Sequence, residues 1–562
     1  MARNGTRSLA ASCHEQLHRH DKCKFLLKFK GRCFSAAMQT SDALRVLFPI
    51  FLGMVVARAR QPCIPKFLRA NAMVCVCNAT YCDTVDPVSL PDVGNFVKYT
   101  TSRDGQRLER SEGEMIASSG VSGGIYTYDP TVQHQYVKGF GGSLTDAAAI
   151  NILHLSYAAQ NQLLRSYFSE EGIEYNLLRW PIGCSDFSTR PYSYDDRCVD
   201  DFELKCFELA PEDTKLRIPL LHRIMAHAKR TLSLIASPWT SPGWLRVNNK
   251  VKGKSMLKGE PGDRYHKTWA RYFIRFFDEY AKNNITFWAF SSQNEPITAL
   301  FISREDFPCN YFSPQHQRDF IVQDLGPALV ASRHADVRLM ILDDGRCHLP
   351  NWADQVIGDS AAAAFVSGIG IHWYLDPITP VTLTLDVTHR LYPNFFLLYT
   401  EACNGYLDWD AKVVLGSWER GVSYSSNILT NLNHFVTGWI DWNLALDTAG
   451  GPNWVDNPVD SPVIVNPLKD EFYKQPMFYH LGHFSKFIPE GSVRVALTSN
   501  CLFDVCKLKT SAFLTPNGTA VAVVLNDWFL DISFTISDDR VGYIKDRARA
   551  HSIQTYLWRR HL

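Results

Sequence analysis

Residues 287–296 read Phe-Trp-Ala-Phe-Ser-Ser-Gln-Asn-Glu-Pro: a short apolar run that passes directly into polar side chains and a proline. Residues 395–402, Phe-Phe-Leu-Leu-Tyr-Thr-Glu-Ala, repeat the layout. Working outward, runs of the same kind fall at 136–140, 175–180, 232–236, 337–342, 366–371 and 436–440, with amphipathic helical stretches between them. That alternation is the pattern of βα units. Eight strands in this rhythm predict a (β/α)8 TIM barrel. Each run ends in residues able to do chemistry: Gly141, Gly142 and Asp146, then Asp186, Trp239, Asn294-Glu295, Asp343-Asp344, His372-Trp373-Tyr374, Glu401 and Trp442-Asn443. In this fold the active site is built at the C-terminal ends of the strands, so strand order and chemistry agree.

Outside the barrel the sequence turns to short alternating strands. Segments 93–101, 123–127 and 493–558 predict an accessory β-sandwich made from both chain ends. A Pro/Gly/Asn-rich piece, 447–470, is expected to join a small disulfide-bearing β subdomain. The expected organisation is a targeting segment (1–60), that subdomain (61–88 with 444–475), the sandwich (89–135 with 491–562) and the barrel (136–443 with 476–490). No internal repeat or low-complexity tract interrupts it.

Composition excludes several classes. The 562 residues carry a net charge of only +1, without the basic excess of a nucleic-acid binder. Fourteen Trp and 23 Tyr suit a site that stacks sugar rings. Residues 46–57 (VLFPIFLGMVVA) form an apolar run too short to cross a bilayer, and Ala57-Arg58-Ala59 behind it has the form of a signal-peptidase site, predicting cleavage near 59/60. The basic stretch before it is long, and Met38 offers an alternative start. Fifteen cysteines in the chain, twelve of them behind that segment, point to an oxidising route. Four of them, Cys63, Cys75, Cys77 and Cys82, lack zinc-site spacing and have no histidine among them, which favours disulfides. Asn78, Asn284 and Asn517 stand in glycosylation sequons.

Glu295 and Glu401, at the ends of the fourth and seventh strands, can face each other across a barrel mouth. Retaining hydrolysis of a glycosidic bond needs two carboxyls about 5–5.5 Å apart, one to protonate the leaving oxygen and one to attack the anomeric carbon. The Asn294 amide is expected to bond a sugar 2-hydroxyl. If Glu295 is the acid, its pKa should be raised by the charge on an ionised Glu401. No cofactor is called for. A metal at His372 is not expected, because no cluster of His, Asp or Glu is evident around it in the sequence.

Longer stretches resemble a known family. Val74-Cys-Val-Cys-Asn-Ala-Thr-Tyr-Cys82, Gly139-Phe-Gly-Gly142, Tyr167-Phe-Ser-Glu-Glu-Gly172, Ala236-Ser-Pro-Trp-Thr-Ser-Pro242, Gly450-Gly-Pro-Asn-Trp-Val455 and the run from Lys474 to Gly491 are similar to the lysosomal β-glucosidase branch of glycoside hydrolase family 30. The resemblance spans residues 63–559. It implies hydrolysis of glucosylceramide to glucose and ceramide, on the lumenal face of the lysosomal membrane after secretory transport. It further implies a saposin C-type activator, anionic lipid at a peripheral membrane surface and a lysosomal sorting receptor as partners. By the same likeness Glu295 is acid/base and Glu401 nucleophile, while Asp186, Trp239, Asn294, Trp442 and Asn457 hold substrate. Arg179 props the nucleophile, His372 orients from behind, and Tyr374 stands at the entrance. It also implies the pairings Cys63–Cys75 and Cys77–Cys82.

The chain departs from the family in the loop 297–312, which carries Arg304, Glu305 and Asp306 where the family is more neutral and aromatic, in the loop after Glu401, and at Gly345. Cys198/Cys206 and Cys501/Cys506 are closely spaced extra pairs, leaving Cys184, Cys309, Cys347 and Cys403 as free thiols. Two other readings are a family 30 xylosidase or galactosidase with a changed sugar shell, and a non-catalytic binding protein. The intact Asp186/Trp239/Asn294/Trp442 set opposes the first, and the presence of both glutamates opposes the second.

Overall fold

The computed structural model describes residues 60–69, 71–117, 123–302, 304–501 and 507–560. The expected signal segment, its cleavage site and Cys506 lie outside the described residues.

The eight predicted strands close a parallel barrel: β1 (Gly139–Ser143), β2 (Leu177–Ile182), β3 (Ser233–Pro238), β4 (Ala289–Ser291), β5 (Arg338–Gly345), β6 (Val366–His372), β7 (Phe396–Glu401) and β8 (Val436–Asn443). The sequence runs stop too early. β5 to β8 continue through the polar residues that follow their apolar stretches, because the ladder holds while side chains turn into the lumen. Tyr136 belongs elsewhere: it ends the strand Gly124–Tyr136, and the barrel begins three residues later at Gly139.

The helix Arg264–Ala281 shows how the outer ring is held. Asp263 caps it by accepting from the amides of Tyr265 and His266. Trp269, Phe273, Phe276, Phe277 and Tyr280 recur every three or four residues and are buried, with Phe273 set 5.4 Å from Phe290 of β4. That packing fixes the strand that leads to Glu295.

Nine strands from both chain ends form one continuous sheet, running in spatial order Gly542–Ala548, Ile532–Asp538, Gly124–Tyr136, Val493–Ser499, Lys509–Leu514, Thr519–Asn526, Ser552–Arg559, Asn95–Ser102 and Glu109–Glu114. This sheet is the sandwich and has its own core of Phe96, Tyr126, Tyr128, Phe534, Tyr556 and Trp558. The helix Pro476–Ser485, wholly buried, ties sandwich to barrel. His483 bonds Thr101 and Thr555 at 2.8 Å each, and Phe484 packs on Phe140 of β1.

A third sheet orders Pro65–Arg69, Ala72–Asn78, Glu471–Lys474, Val463–Asn466 and Leu446–Asp447. Disulfides Cys63–Cys75 and Cys77–Cys82 staple it, and Cys198–Cys206 closes a barrel loop. Cys184, Cys309, Cys347 and Cys403 are free thiols. Asn284 and Asn517 are exposed and Asn78 is half-buried, all reachable from solvent. Among the described residues no helix is long and apolar enough to cross a membrane.

Candidate active site

Arg179, midway along β2 and fully buried, organises the barrel mouth. Its Nη1 donates to Glu401 Oε2 at 2.5 Å, and its Nη2 donates to Asn294 Oδ1 at 2.7 Å and Asp343 Oδ2 at 2.8 Å. A buried guanidinium needs such partners, and they fix its plane. Asp343 is the second centre. Its Oδ2 also accepts from the hydroxyls of Ser237 and Ser291, and its Oδ1 from Thr400 Oγ1 at 2.6 Å and His372 Nε2 at 3.2 Å. Burial alone would raise its pKa, but Arg179 and His372 hold it well below the usual carboxylate range. The sequence shows Asp343-Asp344 at a strand end without saying which aspartate turns inward. Backbone geometry decides it. Leu342 and Asp343 adopt φ of +65° and +60°, and the β5–β6 register slips between Leu342 and Asp344. Gly370 on β6 makes room, since a Cβ there would stand 2.9 Å from Asp343 Oδ1.

Glu295 also sits at positive φ, +42°, with its amide bonded to the Asp343 carbonyl at 2.9 Å. Its Oε1 faces His372 Nδ1 at 3.1 Å, and its Oε2 accepts from Thr298 Oγ1 at 2.9 Å. Tyr374 donates to Glu401 Oε1 at 2.6 Å. One oxygen from each glutamate and a ring nitrogen of His372 lie within 4.8 Å of one another. An acidic cluster therefore does accompany His372, contrary to the sequence expectation. Against the lowering effect of burial, the charge of Glu401, hydrogen bonds to Asp343 and Glu295 and the charge of Asp343 raise His372 to about 10, which favours the imidazolium with a proton on each ring nitrogen.

The expected pKa split is reversed. Burial would raise Glu295, but hydrogen bonds from His372 and Thr298, with Arg179 nearby, hold it below the ordinary value. Burial and the charge of Glu295 lift Glu401 above its ordinary value, opposed by His372, Arg179 and Tyr374. The sequence argument counted only the two carboxyls and missed the imidazolium beside Glu295.

A cavity of about 320 Å³ opens over this pair. Seven expected site residues line it: Asp186, Trp239, Glu295, Tyr374, Glu401, Trp442 and Asn457. Arg179, Asn294 and His372 lie beneath. Asn294 turns its Oδ1 to Arg179, so that only its amide NH2 is left to meet another group. Trp239 and Trp442 stack on each other at 5.0 Å and 20°, with Arg179 against both rings. Asp186 accepts from Asn457 Nδ2 at 2.8 Å, and its Oδ1 has no hydrogen-bond partner among the described residues. That free acceptor, buried at the cavity wall, is suited to a ligand hydroxyl. The outer wall is formed by Phe187, Phe301, Ile302, Arg304, Phe307, Tyr406, Asp408 and Val459; the sequence marked the loops 297–312 and after Glu401 as altered but gave none of these residues a place in the site. Their loops lack the strand-end signature that marked the inner residues.

A sequence model described as the glycosyl hydrolase family 30 TIM-barrel domain matches residues 137–488, and the family 30 β-sandwich domain matches 491–556. The chain belongs to glycosyl hydrolase family 30. The lysosomal acid glucosylceramidase of Mus musculus is 53% identical over 513 residues, covering 91% of this chain and 98% of that protein. An endo-1,6-β-D-glucanase of Trichoderma harzianum is 26% identical, over 75% of this chain and 84% of that one. Among solved structures, SrfJ from Salmonella typhimurium aligns with a TM-score of 0.74 at 25% identity, covering 83% of this chain and 100% of that one.

This family 30 enzyme also has an acid-stable charge pattern. Burial pushes Asp146 to about 6 and Asp186, Asp195 and Asp344 to about 7, with Glu401 and Glu295 adding to Asp186, and Glu295 to Asp344. Between their unfolded values near 4 and these folded values the folded chain holds protons the unfolded chain has lost, so stability falls as pH rises through that window. His372, raised to about 10, adds stability that is complete below about 6.5 and fades as pH climbs towards 10. His316 and His483, lowered to about 4 and 3 by burial, work the other way and limit stability at the acid end. The melting temperature should therefore be several degrees higher at pH 5.5 than at pH 8 by calorimetry. A flat or rising profile over that range would contradict the charge assignment.

Proposed function

We propose that this chain is a retaining β-glucosidase that hydrolyses glucosylceramide to glucose and ceramide, with Glu401 as nucleophile and Glu295 as acid/base. The observation that carries the reading is the approach of the two carboxylates within one cavity whose wall offers the unpaired oxygen of Asp186. Close carboxyls favour double displacement, since no room is left for a water between them and the sugar. The likeness to the mouse glucosylceramidase supports the substrate and a lysosomal site of action. With them come a saposin C-type activator, a sorting receptor and an anionic membrane surface as partners.

In this reading Arg179 and Tyr374 aim Glu401 at the anomeric carbon. The proton needed by the leaving oxygen is stored at the His372–Glu295 contact, 3.1 Å long. Substrate entry removes water from Glu295 and favours its neutral form, drawing the proton from His372 Nδ1 onto Oε1. Leaving-group departure takes that proton, and Glu295, ionised again, removes one from the incoming water.

Arg179→Lys should lower kcat by about 100-fold, because an ammonium keeps the charge but cannot serve three acceptors in one plane. Arg179→Ala would also strand two buried carboxylates, at a cost of about 3–5 kcal/mol in stability. Steady-state rates and thermal melts separate the two effects. The decisive assay is purified mature chain on glucosylceramide with and without phosphatidylserine vesicles, beside aryl β-xyloside and β-galactoside. Preference for either other sugar, or failure to cleave the lipid under both conditions, would overturn the assignment.

A further inference from the structure

We propose that the ion pair between Arg304 and Asp408 is an aglycone gate that sets how readily the enzyme accepts substrates with long apolar leaving groups. The proposal rests on the reading that the leaving group points out of the cavity past Glu295.

Arg304 comes from the loop after β4 and Asp408 from the loop after β7, and Nη2 meets Oδ1 at 3.0 Å. Both side chains line the cavity that ends on the two glutamates. Neither loop is a loose tip. On one side Lys252 pairs with Asp306 at 2.8 Å, the Gly253 amide bonds the Asp306 carbonyl, and the Phe307 amide bonds the Arg304 carbonyl. On the other, Lys412 Nζ donates to the carbonyls of Gly405 and Leu407, and Tyr406 Oη donates to the carbonyl of Tyr374. The pair thus spans a gap between two anchored walls.

Its surroundings give it a function. Leu300, Phe301 and Trp409, neighbours in sequence of the two loop residues, are 56%, 77% and 80% exposed. A leaving group that stays inside the cavity meets the pair from within. One with a long hydrocarbon chain must pass the charged bar to reach this apolar rim. Exposed ion pairs are weak, and Asp408 is 76% exposed, so the bar can open. Opening nevertheless disfavours the long substrate alone, and that makes the pair a selectivity element.

The test measures kcat/KM for 4-methylumbelliferyl β-glucoside and for dodecyl β-glucoside below micellar concentration, and reads their ratio. In Arg304→Ala and in Asp408→Ala the ratio should shift towards the long chain by about three- to fivefold, the range an exposed pair supports. The double variant should shift no further, and the exchanged pair Arg304→Asp/Asp408→Arg should return to the wild-type ratio. In unaltered protein, 0.5 M NaCl should produce the same shift by screening, an arm that needs no variant to fold. An unchanged ratio in the single variants, additive shifts in the double, or salt insensitivity of the wild type would overturn the gate. Failure of the wild type to cleave either glucoside would instead count against the β-glucosidase reading.

Discussion

Glu401→Gln is expected to abolish turnover, by about four orders of magnitude or more, while leaving the fold intact. The substitution keeps the shape of a side chain that is only 7% exposed, with an oxygen left to accept from Arg179. What it removes is the nucleophilic carboxylate, and enzymes deprived of a covalent nucleophile typically lose activity on that scale. A cyclitol epoxide, which traps the nucleophile as an ester, should label Glu401 and spare Glu295 and Asp343. Peptide mapping by mass spectrometry decides the matter. Asp343 is the informative competitor, because it is ionised and lies in the same cluster. Its oxygens, however, are occupied by Arg179, His372 and the hydroxyls of Ser237, Ser291 and Thr400, which leaves no free face for attack. A label on either Glu295 or Asp343 would reverse the assignment.

Glu295→Ala should separate the two halves of the reaction. An aryl glucoside with a good leaving group needs no proton and should still form the glucosyl-enzyme. Release should then stall, lowering kcat by about 100-fold or more, since the base that activates water is gone. Azide, which needs no base, should restore release and yield β-glucosyl azide. The same substitution at Glu401 should give the α anomer, because azide enters from the vacated nucleophile's side. Product anomers by NMR test both. An α product with Glu295→Ala, or rescue of neither variant, contradicts the proposed roles.

The barrel was legible because most of its strands contain a short apolar run with chemistry at its end. The boundaries were less so, since the polar lumen residues at the ends of β5 to β8 stay in the ladder, and no composition rule separates them from a loop. Spacing favoured disulfides in the small sheet, but their pairing followed from the family likeness. Seven of the ten expected site residues line the cavity, because strand ends converge there. Asp343 escaped assignment since only a backbone bulge distinguishes it from Asp344. The His372 imidazolium escaped because a protonation state depends on three carboxylates brought together from distant parts of the chain. The loop walls carrying Arg304 and Asp408 could be seen to be unusual in charge, but their meeting across the mouth is a fact of three dimensions alone.

The order of strands in the nine-stranded sheet has a consequence for biosynthesis. Asn95–Ser102 pairs with Ser552–Arg559, and Gly124–Tyr136 with Val493–Ser499, so the earliest strands made find their partners among the last. At cellular elongation rates of about 5–20 residues per second, the first strand waits on the order of half a minute or longer for its neighbour to be synthesised. During that interval Asn95–Ser102 has only Glu109–Glu114 beside it, and its other edge is open to any chain that offers a strand. A stop before Ser552 would leave the barrel sequence entire and still leave one edge of Asn95–Ser102 without its neighbour.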